Sequence, residues 1–186
     1  MTRIHPLQPP YDERVEALLG EMMPPGQPPI GLFRTFVHNH AMTRAMRSWG
    51  SYELGPRLSL SMRERELIID RTTARCHCEY EWGVHVAFFA DRIGLTPAEL
   101  QSITHGSPDD DCWAEPRERL LLRIADALHD QADVDDELWA QLDRHFDASE
   151  ILDATMLCGW YHAISYTANS ARVEREPGAP TFTDVA

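Results

Sequence analysis

Apolar positions recur along this chain at intervals of three and four residues almost from end to end. In DERVEALLGEMM, Val15, Leu18, Leu19 and Met22 fall on one helical face. In AEPRERLLLRIADALHD, Leu121, Ile124, Ala125 and Leu128 repeat the same spacing. The stretch LFRTFVHNHAMTRAMRSWG places Phe33, Phe36, Val37, Met42, Met46 and Trp49 at helical intervals, and Gly50 can end it. Helix starts are marked as clearly as helix faces. Ser61 with Glu64, and Asp147 with Glu150, are capping boxes, and Thr96-Pro97 with Glu99 adds proline at the first helical position. EWGVHVAFFADRIG predicts a helix stopping at Gly94, and DDELWAQLDRHF predicts a short one. Period-two alternation of useful length is missing, as are Asn-Gly and Asp-Gly hairpin signals. The pattern therefore predicts an all-α protein, a compact helical domain of about seven or eight helices.

Two Pro/Gly segments divide the chain. PPGQPPIG separates an N-terminal helix and Pro-rich linker, residues 1–29, from a helical domain spanning 30–178. REPGAPTFTDVA leads into a C-terminal tail, 179–186, expected to be mobile or draped on a neighbour. A length of 186 residues fits one domain with an arm. The formal net charge of -13 argues against a nucleic-acid partner or an anionic membrane surface, because phosphate binding needs clustered Lys and Arg. No apolar run reaches the roughly 18 residues needed to span a bilayer. The opening MTRIHPLQPPYDERVE lacks the apolar stretch of a secretory signal, which makes a cytoplasmic protein the expectation. The four cysteines, Cys76, Cys78, Cys112 and Cys158, form no disulfide framework and no paired zinc ribbon. Cys158 reads as a core thiol and Cys112 as a loop residue.

Chemistry concentrates in CHCEYEWGVH. On a helix, Cys78, Glu81 and His85 stand at i, i+3 and i+7 and share one face. A carboxylate four residues from an imidazole orients the ring and raises its pKa, and an imidazole near a thiol can take its proton. Glu66 lies 12 residues before Cys78 and reaches the same point if its helix folds back antiparallel. Arg71 and Arg75 are candidates to hold a substrate carboxylate, with surface charge the competing role. Trp82 is a candidate substrate wall, with core packing the competing role. A metal held by Cys78, Glu81 and His85 would have only three ligands from one helix, so no metal and no cofactor is expected there.

RERELIIDRTTARCHCEYEWGVHVAFFADRIGLTPAEL resembles the carboxymuconolactone decarboxylase family, whose superfamily includes the alkylhydroperoxidase D-like proteins. Glu66, then Cys78, then His85 carry the pattern, and LLLRIADALHD, LDRHF and LCGWYHAISYTANSA extend the similarity. The resemblance implies an all-α fold, a small-molecule substrate, and homo-oligomers, trimers or hexamers. It also implies Glu66, Cys78, Glu81 and His85 as catalytic positions. The alkylhydroperoxidase branch works through a Cys-x-x-Cys pair. Glu81 occupies the second Cys position here, which favours acid–base chemistry on a small carboxylate-bearing molecule over a thiol peroxidase cycle through Cys78. A non-catalytic metabolite-binding oligomer is the third reading.

Overall fold

Ten consecutive residues of one helix, Arg65 to Ala74, are buried, and six of them are charged or hydroxylated. Such a helix belongs at the centre of a molecule that supplies partners for most of its polar groups. The computed structural model describes residues 1–185. Among them it has nine α-helices and no strand: α1 Glu13–Met22, α2 Gly31–Phe36, α3 His40–Glu53, α4 Met62–Arg75, α5 Glu79–Phe89, α6 Pro97–His105, α7 Pro116–Gln131, α8 Asp136–Leu142 and α9 Ala148–Ala171. The buried helix is α4, and it packs against α5, α6, α7 and α9.

Apolar side chains of α4 feed three clusters, one of them through Ala74. Leu67 meets Ile103, Trp113 and Leu122, while Ile68 and Ile69 join Leu121, Ile124, Leu157, Cys158 and Tyr161. Each fully buried aliphatic side chain contributes about 1.5–3 kcal/mol. On the N-terminal arm, Val15, Leu18 and Leu19 pack with Val37. The capping boxes at Ser61, Thr96 and Asp147 all form. No helix among the described residues is long and apolar enough to cross a membrane.

The structure departs from the expected elements in several places; α5, expected to stop at Gly94, ends at Phe89. The expected helix through Phe33 and Trp49 is two helices, α2 and α3, joined by a 3-10 turn at Val37–Asn39. Asn39 caps α3 by accepting from the Met42 N–H at 3.1 Å, and α3 runs through Gly50 to Glu53. The C-terminal tail is seated on its own chain. Phe182 meets the Trp82 ring edge-on at 5.1 Å, and its N–H donates to Glu79 Oε1 at 3.0 Å. The Pro180 carbonyl lies so close over Gly83 that a Cβ there would sit 2.6 Å from it, which is why α5 carries glycine at that position.

Candidate active site

Helix α4 ends at Arg75, and a three-residue turn sends the chain back along it as α5. His77 takes the left-handed conformation, φ 50°, that reverses the direction. Cys78 follows as the N-cap of α5, φ -95° and ψ 75°, and so is not a helical residue. The three-residue face expected from spacing is therefore a two-residue face, Glu81 and His85, with Cys78 at its start.

The antiparallel return sets His85 against Glu66. His85 Nδ1 donates to Glu66 Oε2 at 2.7 Å. Glu66 Oε1 accepts from Arg65 Nε at 2.6 Å and pairs with Arg65 Nη2 at 2.5 Å. The other imidazole nitrogen, Nε2, lies 3.1 Å from the Tyr161 hydroxyl and 3.6 Å from Glu81 Oε1. Phe89 stacks on the imidazole at 5.5 Å, and the Arg65 guanidinium covers the Phe89 ring at 5.1 Å. Glu66, His85, Glu81, Arg65 and Tyr161 are all buried.

Burial pushes the His85 imidazole down, but the Glu66 and Glu81 carboxylates outweigh it and hold its pKa at about 10. At neutral pH the ring is an imidazolium. Burial, followed by the Glu81 and Glu66 charges, keeps the Tyr161 phenol protonated well above its usual range. Asp70, one turn from Glu66 on α4, is pushed far up by burial and then by Glu66, so it stands as a neutral acid. Its Oδ1 has no hydrogen-bond partner. With Asp70 neutral, the cations Arg65 and His85 balance Glu66 and Glu81, which is how a buried group of this size is tolerated.

Cys78 is fully buried among Leu32, Tyr80, Ile164 and Ala168. Burial raises its thiol to about 11, against the pull of the Glu81 backbone N–H. Glu81 thus touches both the thiol, through its N–H, and the imidazole, through its carboxylate. No hydrogen bond joins Cys78 to His85 directly among the described residues.

The other expected residues lie elsewhere. Arg71 forms a two-pronged pair with Asp126 at 2.7 and 2.8 Å, and its Nη1 donates to the carbonyls of Ser102, Ile103 and Gly106. Arg75 binds Asp130 at 2.5 Å and approaches Asp126 at 3.5 Å. Both guanidiniums pair with carboxylates of α7, while Arg75 Nε is left without a hydrogen bond. Trp82 is fully buried against Ala74, Val86 and Phe182, a core residue under the tail and not a substrate wall. In their place the structure adds Arg65, Asp70 and Tyr161. Asp70 could have been found from its i+4 spacing to Glu66, and Arg65 from its place beside Glu66. Tyr161 comes from a distant helix and gave no signal.

Residues 41–127 match the model of the Carboxymuconolactone decarboxylase family. No curated protein matches the chain. Among solved structures, a peroxidase-related protein from Silicibacter sp. TM1040 superposes with a TM-score of 0.79 at 16% identity, over 95% of this chain and 93% of that one. An alkylhydroperoxidase AhpD core protein from Ralstonia eutropha JMP134 gives 0.78 at 18% identity, over 94% and 93%. The apo debrominase Bmp8 gives 0.76 at 18% identity, over 100% and 99%. At these identities the likeness is one of fold.

Proposed function

Because residues 41–127 form a carboxymuconolactone decarboxylase family segment, we propose that the protein is a proton-transfer enzyme acting on a small organic molecule, with His85 as the group that gives and takes the proton. The observation that carries this reading is the buried chain from Arg65 through Glu66 and His85 to Tyr161. Glu66 fixes the imidazole ring and holds its charge. That leaves Nε2, beside the Tyr161 hydroxyl and Glu81, as the nitrogen from which a proton can leave. An imidazolium held charged by adjacent carboxylates, with a phenol beside its remaining nitrogen, is placed to act as a general acid, a role typically worth about 10² to 10⁴ in rate. A carboxylate on the substrate would have to compete with Asp126 and Asp130 for Arg71 and Arg75.

A second reading rests on Cys78. Its sulfur sits at the N-terminus of α5, where helix N–H groups favour a thiolate. One solved structure of similar fold is the debrominase Bmp8 with a cysteine replaced by alanine, in complex with 2,3,4-tribromopyrrole. On this reading the Cys78 thiolate attacks a peroxide, becomes a sulfenic acid and releases an alcohol after protonation. Burial of the thiol weighs against it.

The test begins with a thermal-shift screen of lactones, keto acids and hydroperoxides. Compounds that raise Tm are then incubated in D2O and followed by NMR for deuterium incorporation. Incorporation or turnover should vanish in His85→Gln and fall by no more than about tenfold, about 1.4 kcal/mol of barrier, in Cys78→Ser. A dead Cys78→Ser beside a merely slow His85→Gln replaces the first reading with the second.

A further inference from the structure

On the opposite side of the α4–α5 turn, three side chains from three helices converge on one point. Cys76, the C-cap of α4, brings its sulfur to 3.8 Å from His129 Nδ1 on α7. His129 Nδ1 lies 3.0 Å from His162 Nε2 on α9, and all three donor atoms lie within 4.8 Å of one another. We propose that Cys76, His129 and His162 form a binding site for a transition-metal ion of the zinc class, with a fourth coordination position left for water.

The distances fit this ion class. A triangle with sides of 3.0 and 3.8 Å and a third side up to 4.8 Å has a centre roughly 1.9 to 2.4 Å from every corner for the realistic range of the third side. Zinc–nitrogen and zinc–sulfur bonds are about 2.0–2.1 and 2.3 Å. An ion can therefore be seated with little movement of the ligands. Calcium and magnesium are excluded by donor type, because a thiolate and two imidazoles are borderline-soft ligands.

The hydrogen bonds around the cluster point the right lone pairs inward. His162 Nδ1 faces the Cys158 carbonyl at 2.7 Å, and a carbonyl can only accept, so Nδ1 carries the proton. Nε2 is then a lone pair aimed at His129. A backbone carbonyl fixing the remote ring nitrogen is the usual support of a metal-binding histidine. Without an ion, His129 Nδ1 must hold a proton to face that lone pair at 3.0 Å. On binding, that proton moves to His129 Nε2 through solvent, the Cys76 thiol loses its proton to water, and one proton is released per ion.

Charge and access also agree. The ion adds two positive charges and the thiolate removes one. Asp126 and Asp130 lie nearby, already paired with Arg71 and Arg75, so the surroundings are close to neutral. All three ligands are half-buried. His129 also lines a cavity of about 340 Å³ walled in part by Arg71, Arg75, His77 and His105, from which an ion and its water can enter. This site uses none of the residues assigned to proton transfer.

The experiment is a cobalt titration of the metal-stripped, full-length protein. Co²⁺ should bind one per chain, with the visible bands of a tetrahedral ion and a near-ultraviolet sulfur-to-cobalt charge-transfer band. Zn²⁺ should displace it. Cys76→Ser should lose the charge-transfer band, and His129→Gln and His162→Gln should each weaken binding by at least about tenfold. Cys112→Ser should bind as the parent does. Circular dichroism checks that each variant is folded, and Cys76→Ser changes only one atom. Absence of Co²⁺ uptake, an octahedral spectrum without sulfur, or a spectrum unchanged by Cys76→Ser would overturn the proposal.

Discussion

His85 keeps its proton because two carboxylates lie against its ring in a buried site, and that arrangement sets how stability responds to pH. Its folded pKa, about 10, lies above the ordinary value of 6.5. The stabilisation is therefore complete below about pH 6.5 and lost as pH rises through about 10. Glu53 works in the same direction. Burial and then Asp153 raise it to about 7, so its stabilising share fades between its ordinary 4.5 and 7. Opposing them, Glu64, Glu99 and Asp153 are held below their usual values by hydrogen bonds and, for the two glutamates, arginine partners; they lose their contribution only as pH falls below about 4. We expect the urea midpoint to be highest near pH 5 to 6 and to decline toward pH 10, with His85→Gln flattening the alkaline limb. NMR should find the His85 ring as an imidazolium at pH 7; titration near 6.5 would show that Glu66 is not holding its charge. Glu66, Glu81 and His85 were legible in the sequence because the helical repeat and one tight turn place them. Arg65 was within reach from its place beside Glu66, but Tyr161 was not, because its approach to His85 is set by three-dimensional packing, which spacing along one helix does not encode.

Helix α4 acts as the axis of the fold, and Arg71 is the residue that ties most to it. Its guanidinium holds Asp126 of α7 and three carbonyls at the end of α6. Ile103 lies in the last turn of α6 and Gly106 is its C-cap, where a helix leaves carbonyls without internal partners. Arg71→Leu removes the donor and strands a half-buried carboxylate together with the carbonyls. Loss of one partner from a buried ion pair costs about 3–5 kcal/mol, and a chemical denaturation curve should show a loss of that size without a change of slope. A loss under 1 kcal/mol would mean that water replaces the guanidinium. Element boundaries were legible wherever a cap marked them, at Ser61, Thr96 and Asp147. They were not where the signal was a single asparagine, as at Asn39, or a left-handed histidine before Cys78. The apolar period continues across both breaks, so period alone cannot see them.

The whole molecule leaves one long apolar stripe uncovered. Along α9, Leu152, Met156, Gly159, Ala163 and Tyr166 are exposed at intervals of three and four residues. Small residues at its middle let a second helix approach closely. We propose that α9 is a self-association seam and that the protein is a trimer or hexamer. Light scattering of the parent should show it, and Met156→Glu should reduce the mass toward a single chain of 21.2 kDa. A parent that is already monomeric at micromolar concentration rejects the proposal. The pairing of His85 with Tyr161 bridges 76 positions of sequence, and this has a bearing on how the protein is born. A ribosome adding about 5–20 residues per second needs roughly 4 to 15 seconds to pass from one residue to the other. For that interval Glu66 and His85 stand on a nascent helical hairpin open to solvent, as ordinary solvated side chains. The enclosure of the finished site, with the Tyr161 hydroxyl against His85, is thus acquired late in translation, when the ninth helix closes over it.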